Sequence, residues 1–156
     1  MADLRGVLSG AGLRIGIVKS RFNEAVVARM VAVCEARLLE LGVLAKDIDR
    51  VAVPGALEIP VALQALGSSG KYDALIALGA VIRGETYHFE VVSNESCRGV
   101  MDVSLDTGVP IANGILTVES DAQAEARIEQ KSKDCAECAV EMANVMTAIA
   151  KKAVRV

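Results

Sequence analysis

YDALIALGAVIRGETYHFE, residues 72–90, decides how the rest of the chain is read. From Ala74 to Ile82 the stretch is apolar, interrupted only by Gly79. A strand with one wet face alternates polar and apolar residues; a run without alternation is a strand covered on both faces, as in a parallel sheet. The character then changes at once. Arg83, Gly84, Glu85, Thr86 and Tyr87 are polar or turn-forming, and His88, the single histidine of the chain, follows them. A helix is expected from about Phe89 to Leu105. Unpaired N–H groups at such a strand-to-helix junction can hold an anion, and Gly84-Glu85-Thr86 supplies them. An ordinary capped helix is the plainer alternative. No GxGxxG and no P-loop lysine occurs, which disfavours dinucleotides and nucleoside triphosphates. His88 can move protons near neutral pH or serve only in packing.

Working outward, the same grammar recurs. Leu13–Val18 is a first buried strand, followed by the polar loop Lys19–Asn23 that carries Phe22. Asn23 stands at the N-cap of a helix from Glu24 to Leu41, and Gly42 closes it. Asp49–Val53 begins a second strand, and Pro54-Gly55-Ala56-Leu57-Glu58-Ile59-Pro60 leads into a helix over Val61–Leu66. On the far side, Val109–Leu116 is a strand broken by Asn113-Gly114. Ser120-Asp121 caps a helix over Ala122–Ile128 bearing Arg127, and Cys135–Lys151 forms a last helix with an alanine-rich face. Residues 3–10 read as a short N-terminal edge strand or as an arm laid on a neighbouring subunit. The alternation of strands and helices calls for an α/β fold, a parallel sheet with helices on both faces and right-handed crossovers. Its loops at Phe22, Ala56–Glu58, Ala80–His88 and Asn113 then meet along one sheet edge. Phe22 either stacks on a planar ring or packs under its loop. Glu58 either accepts hydrogen bonds from ligand hydroxyls or caps the next helix. Asn113 is paired in the core or turned to a ligand, and Arg127 is a surface arginine or a counter-charge.

Composition narrows the partners. Hydrophobic residues make up 53% of the 156 residues, with two Phe, two Tyr and no Trp. That exceeds the usual ~45–50%, so the core is aliphatic and a homo-oligomer is expected to hide the surplus. A net charge of -3 argues against nucleic acid or an anionic membrane as partner. No apolar run approaches the ~20 residues of a membrane span, and the first residues lack the pattern of a secretory signal. A cytoplasmic protein is expected. Cys34, Cys97, Cys135 and Cys138 lie in helix-like surroundings, and the Cys135/Cys138 CxxC spacing has no companion pair. It reads as two thiols on a helix, with no metal site and no cofactor.

Arg21-Phe22-Asn23, the PGALEIP block at 54–60, GAVIRGETYH at 79–88 and Gly114-Ile115-Leu116-Thr117 together resemble the lumazine synthase family, as does Glu141-Met142-Ala143-Asn144. The resemblance runs over essentially the whole chain, in order, as one domain over 1–156 with an arm at 1–12. It implies a three-layer α/β sandwich built on a four-stranded parallel flavodoxin-like sheet, order 2-1-3-4, assembled as pentamers that in many members close into a 60-subunit icosahedral shell. The implied enzyme is a transferase of riboflavin biosynthesis. It condenses 5-amino-6-(D-ribitylamino)uracil with 3,4-dihydroxy-2-butanone 4-phosphate and releases water and phosphate. By the motif, Phe22 stacks on the pyrimidine, Ala56, Leu57 and Glu58 take the ribityl chain, and Ala80, Val81 and Ile82 hold the pyrimidine edge. Asn113 comes from the neighbouring subunit. Amides of Glu85 and Thr86 cradle the butanone phosphate, Arg127 reaches it across the interface, and His88 transfers protons. An archaeal-type riboflavin synthase and a non-catalytic flavin-binding or shell paralogue are the rival readings.

Three departures from the family pattern stand out. Glu85 sets a carboxylate beside the phosphate site, so its side chain must point outward. Asn113 replaces a common phenylalanine. Lys131-Ser132-Lys133-Asp134 is a shortened loop between the last two helices, so Lys131 is only weakly tied to substrate; the lack of an insertion there leans towards a shell.

Overall fold

The computed structural model describes residues 1–153. Its parallel sheet has four strands in the order β2-β1-β3-β4, as the resemblance implies. These are β1 (Ile15–Ser20), β2 (Ile48–Val53), β3 (Ala74–Ile82) and β4 (Ile111–Val118). Helices α1 (Glu24–Glu40), α2 (Ile59–Ser68), α3 (His88–Thr107) and α4 (Asp121–Ala153) connect and follow them.

The unbroken apolar run of β3 has a direct cause. Ala74, Ile76, Leu78 and Ala80 enter one core with Met30 and Leu38 of α1 and Ala136 and Val140 of α4. Leu75, Ala77 and Val81 enter the other, with Ile59 and Leu63 of α2 and Val100 and Val103 of α3. Period-two alternation therefore persists, but both of its faces are buried. Burying a side chain such as Ile76 or Leu63 contributes about 1.5–3 kcal/mol. Gly79 lies where a Cβ would meet the Ser20 hydroxyl oxygen at 3.0 Å and Ile59 at 3.3 Å. At Gly114 a Cβ would stand 2.6 Å from Leu78 and 2.9 Å from the Cys135 sulfur, so β4 packs there on bare backbone.

Helix ends follow the chemistry expected of them. Gly42, at φ +103°, follows the α1 C-cap, and the Val43 amide donates to Leu38 O at 3.0 Å, which satisfies a terminal carbonyl. Gly108 at φ 71° closes α3, and Pro60 sits in the first turn of α2. Asn23 does stand at the α1 N-cap, but in the left-handed conformation (φ 60°) and without a side-chain cap bond. Its amide is used elsewhere.

Two expectations change. Residues 3–10 form an arm and pair with no strand among the described residues. The arm runs along the outside of α4, where Asn144 Nδ2 donates to Val7 O (2.7 Å) and Ser9 O (2.9 Å). Leu4, Val7 and Leu8 remain exposed on it. The loop expected at 131–134 does not exist: α4 is one helix of 33 residues. Residues 121–153 contain neither Gly nor Pro, and Ala124, Ile128, Ser132, Cys135 and Ala139 form a buried stripe without a break. Ser132 can join that stripe because its hydroxyl donates to Ile128 O at 2.6 Å.

Candidate active site

The loops after β1 and β2 and the end of β3 are stitched together by main chain. Arg21 N donates to Val53 O at 2.8 Å and Phe22 N to Pro54 O at 3.0 Å. Asn23 Nδ2 donates to Ala80 O at 2.8 Å. The left-handed turn at Asn23 thus aims its side chain at β3 instead of at the helix start. Between these loops lies a cavity of about 340 Å³. Nine residues expected at a site line it: Phe22, Ala56, Leu57, Glu58, Ala80, Val81, Ile82, Thr86 and His88.

Each loop contributes a different kind of group. Phe22 is 73% exposed, so its ring does not pack under its own loop and presents a face to the cavity. Ala56–Glu58 form a turn of 3-10 helix, and Glu58 N donates back to Gly55 O at 3.2 Å. The Glu58 carboxylate makes no cap bond to α2, and among the described residues it has no ion-pair partner. It is free to accept hydrogen bonds. β3 outruns its neighbour: pairing with β1 ends at Leu78, whereas pairing with β4 continues to Ile82. Beyond Leu78 the cleft side of Ala80–Ile82 has no strand partner; the Ala80 carbonyl is met by Asn23 Nδ2, and the rest of that edge faces the cleft. Such an edge suits a planar heterocycle with its own donors and acceptors.

The junction after β3 carries the anion-binding expectation. Tyr87 at the α3 N-cap makes no side-chain cap bond. Among the described residues the amides of Glu85, Thr86 and Tyr87 donate to no acceptor. Three consecutive unpaired N–H groups thus stand at the positive end of a 20-residue helix. Gly84 borders open space. Glu85 does not line the cavity, in keeping with use of its amide alone. His88 is exposed at the first position of α3, its own N–H lying 3.4 Å from Thr86 Oγ1.

Asn113 and Arg127 lie elsewhere. Asn113 is on β4, the sheet edge, where its Oδ1 accepts from Ile115 N at 3.0 Å and its Nδ2 donates to the Cys97 sulfur at 3.5 Å. Arg127 lines a second cavity, about 400 Å³, between β4 and α4, together with Thr117, Gln130, Lys131 and Asp134. Its guanidinium donates only to Gln123 O of its own helix, at 3.0 Å. Among the described residues neither Arg127 nor Lys131 forms an ion pair. Among the described residues one chain thus carries two separate cavities, one lined by acceptors and strand edge, the other by cations without an ion pair.

The model of the 6,7-dimethyl-8-ribityllumazine synthase family matches residues 12–147. This chain belongs to that family. It is 61% identical over 142 residues to the 6,7-dimethyl-8-ribityllumazine synthase of Cupriavidus necator, covering 91% of this chain and 86% of that protein. The protein of that name from Azoarcus sp. is 58% identical over 146 residues, 94% of each chain. A third, from Burkholderia multivorans, is 60% identical over 91% of this chain and 83% of its own. The family is one of transferases, and this member is an enzyme with small-molecule substrates that works as an oligomer.

Sequence reasoning missed several residues of this cleft. Asn23, Gly55, Phe89 and Val92 also line it, beside Gly84 of the expected anion site. Asn23 was legible only as a cap, whereas Phe89 and Val92 occupy the inward side of the first turn of α3. The thiols remain outside the site. Burial pushes the Cys135 thiol up to about 11 and raises Cys34 further still, so both stay neutral and unreactive at pH 7. No helix among the described residues is long and apolar enough to cross a membrane.

Proposed function

We propose that the first cleft, completed by the Arg127 half-site of a neighbouring copy, condenses 5-amino-6-(D-ribitylamino)uracil with 3,4-dihydroxy-2-butanone 4-phosphate. The observation that carries this reading is the division of labour within the cleft. An exposed ring (Phe22), a free carboxylate (Glu58) and an open strand edge (Ala80–Ile82) stand beside three unpaired helix-start amides. In this reading Phe22 stacks on the pyrimidine, the edge of Ala80–Ile82 pairs with its ring atoms, and Ala56, Leu57 and Glu58 hold the ribityl hydroxyls. The amides of Glu85 and Thr86 take the phosphate, and the neighbour's Arg127 neutralises it. Asn113 of that neighbour borders the pyrimidine.

The chemistry then follows from position. The 5-amino nitrogen attacks the butanone carbonyl, and loss of water gives an imine. Loss of the proton from the neighbouring carbinol carbon and departure of the phosphate leave an enol, which tautomerises to a ketone, and the ribitylamino nitrogen closes the second ring on that new carbonyl with loss of the second water. Two bound reactants held in register supply most of the rate. His88 at the lip of the cleft carries protons, a contribution of roughly 10²–10⁴ at most. The phosphate leaves as an anion already matched by amides and a guanidinium.

We read the whole chain, 1–156, as one such domain with residues 1–12 as an arm, working in the cytoplasm. The expected assembly is a pentamer, with twelve pentamers in a 60-subunit shell as its closed form. The test is to supply both substrates and follow the lumazine by absorbance, with the lumazine alone as a parallel sample. Product from the pair and none from the lumazine supports the reading. Riboflavin formed from the lumazine would instead mark the protein as a riboflavin synthase. Light scattering on the same sample gives the assembly mass.

A further inference from the structure

Arg83 leaves β3 at the point where the cleft loop begins, yet it does not line the cavity. Its backbone is pinned first: Arg83 N donates to Val118 O, the last residue of β4, at 2.9 Å. Its side chain then reaches three ways. Nη1 donates to Glu90 Oε1 at 2.5 Å and Nε to Glu119 Oε2 at 2.5 Å. The guanidinium carbon stands 4.3 Å from the centre of the Phe89 ring, a stacked cation–π contact. Phe89 in turn is part of the cleft lining.

These contacts join the two ends of residues 84–88. That segment carries no strand and enters α3 only at His88, so little of its own holds its shape. Arg83 on one side and Phe89 and Glu90 on the other close it into a ring, and Glu119 fastens the ring to the β4–α4 connection. Glu119 is itself held at the helix entrance, its amide donating to Gln123 Oε1 at 2.8 Å. The contact with Arg83 holds the Glu90 carboxyl below its usual range. With Nε and Nη1 committed to two carboxylates, the guanidinium is neutralised and is not the cation for a phosphate. It also offsets acids that would otherwise face one: Glu85, Glu90 and Glu119 surround the loop.

We propose that Arg83 is a positioning residue for the phosphate-bearing substrate, a clasp that fixes the Gly84–His88 loop by holding Phe89, Glu90 and Glu119 together. The proposal rests on the reading of that loop as the phosphate cradle. Removal of the clasp lets the three amides diverge and leaves carboxylates unpaired beside them. The ring-stacking and ribityl contacts, which sit on the β1 and β2 loops, are untouched.

The experiment compares wild type with Arg83→Ala, Arg83→Lys and Glu119→Gln, varying each substrate in turn and titrating inorganic phosphate by calorimetry. Arg83→Ala is expected to raise KM for the butanone phosphate and weaken phosphate binding by about tenfold or more, the scale of a lost charge-assisted contact set. KM for the pyrimidine stays within about twofold, since Phe22 lies on another loop and Ala80–Ile82 keep their pairing with β4. Arg83→Lys recovers part of the loss. Glu119→Gln separates geometry from charge: removing an acid alone would tighten phosphate, whereas loosening the clasp weakens it. A phosphate affinity or butanone phosphate KM unchanged in Arg83→Ala overturns the proposal, as does an equal rise in both KM values or tighter phosphate in Glu119→Gln. If Arg83→Ala does not fold, Arg83→Lys and Glu119→Gln decide by the same criteria. Should wild type bind phosphate but make no lumazine, the reading of the reaction fails while the calorimetry still decides the clasp.

Discussion

The cleft at the end of β3 and the groove between β4 and α4 hold the functional side chains in opposite ways. In the cleft, position comes from ties between loops, through main chain at Arg21 and Phe22 and through the Asn23 side chain, and β3 runs on past β1 with no strand on that side. In the groove, position comes from a single unbroken helix that presents Arg127 and Lys131 one turn apart. The cleft has a carboxylate and amides with nothing to bind; the groove has cations with nothing to neutralise. In the proposed function a second copy supplies what each lacks, as when a closed ring repeats one heterologous contact.

The contrast is broken most severely by removing the cation. Arg127→Ala is predicted to cut kcat/KM by about 10²–10³, the cost of losing one pre-organised partner of a developing anion. Arg127 is exposed and bonds only within its own helix, so the melting temperature should not move; wild-type turnover in this variant would remove Arg127 from the site. A mixing experiment sharpens the same point. Arg127→Ala and Glu58→Gln chains, each nearly inactive alone, are denatured, mixed in equal amounts and reassembled. If each site draws on two copies, about a quarter of the sites pair an intact cleft with an intact groove. Recovery of that fraction of wild-type activity supports shared sites; no recovery places both halves within one copy.

How far the sequence carried differed between the two regions for a physical reason. The cleft was legible because its determinants are local. A strand buried on both faces reads as an apolar run, and a strand that outruns its neighbour is followed at once by glycine and polar residues, as at Ile82–Thr86. Loop-to-loop ties were not legible: nothing in Arg21-Phe22-Asn23 tells that the Asn23 amide bonds to Ala80 rather than to its own helix, because partner choice depends on a strand 57 residues away. The groove was misread at 131–134. Lys-Ser-Lys-Asp has the composition of a loop, but Ser132 hides its hydroxyl on Ile128 O. On either side, Lys133–Glu129 at 2.9 Å and Gln130–Asp134 at 2.8 Å bridge successive turns. Polar composition and helical geometry are compatible once the hydroxyl has an acceptor.

Within the cleft, His88 marks a smaller effect than Arg127. It sits at the first position of α3 and packs against no core cluster, so its removal leaves the stacking face, the strand edge and the amides in place. His88→Ala is predicted to slow single-turnover condensation by about 10², the low end for a positioned acid–base group, with both KM values nearly constant. A single-turnover rate equal to wild type would take the histidine out of the proton transfers.

The smallest expected effect tests the unbroken helix on which the groove depends. Ser132 is fully buried in the first half of α4, next to Lys131 and one turn after Ile128. Ser132→Ala removes the hydroxyl but not its acceptor's own helical bond, and alanine is the better helix former, so stability should hold or rise slightly. Ser132→Gly introduces a residue that unpins the backbone and costs about 1 kcal/mol relative to alanine in a helix interior. For a chain of this size that is a fall of roughly 2–4 °C in Tm, measured at one protein concentration because assembly contributes to it. A bend at 132 would also swing Arg127 relative to the C-terminal half of α4, which carries the arm on Asn144. Ser132→Gly should therefore lower kcat/KM more than Ser132→Ala does. Equal kinetics in the two variants, with only the Tm separated, would mean that the groove tolerates a break and that the cations are placed by the first half of the helix alone.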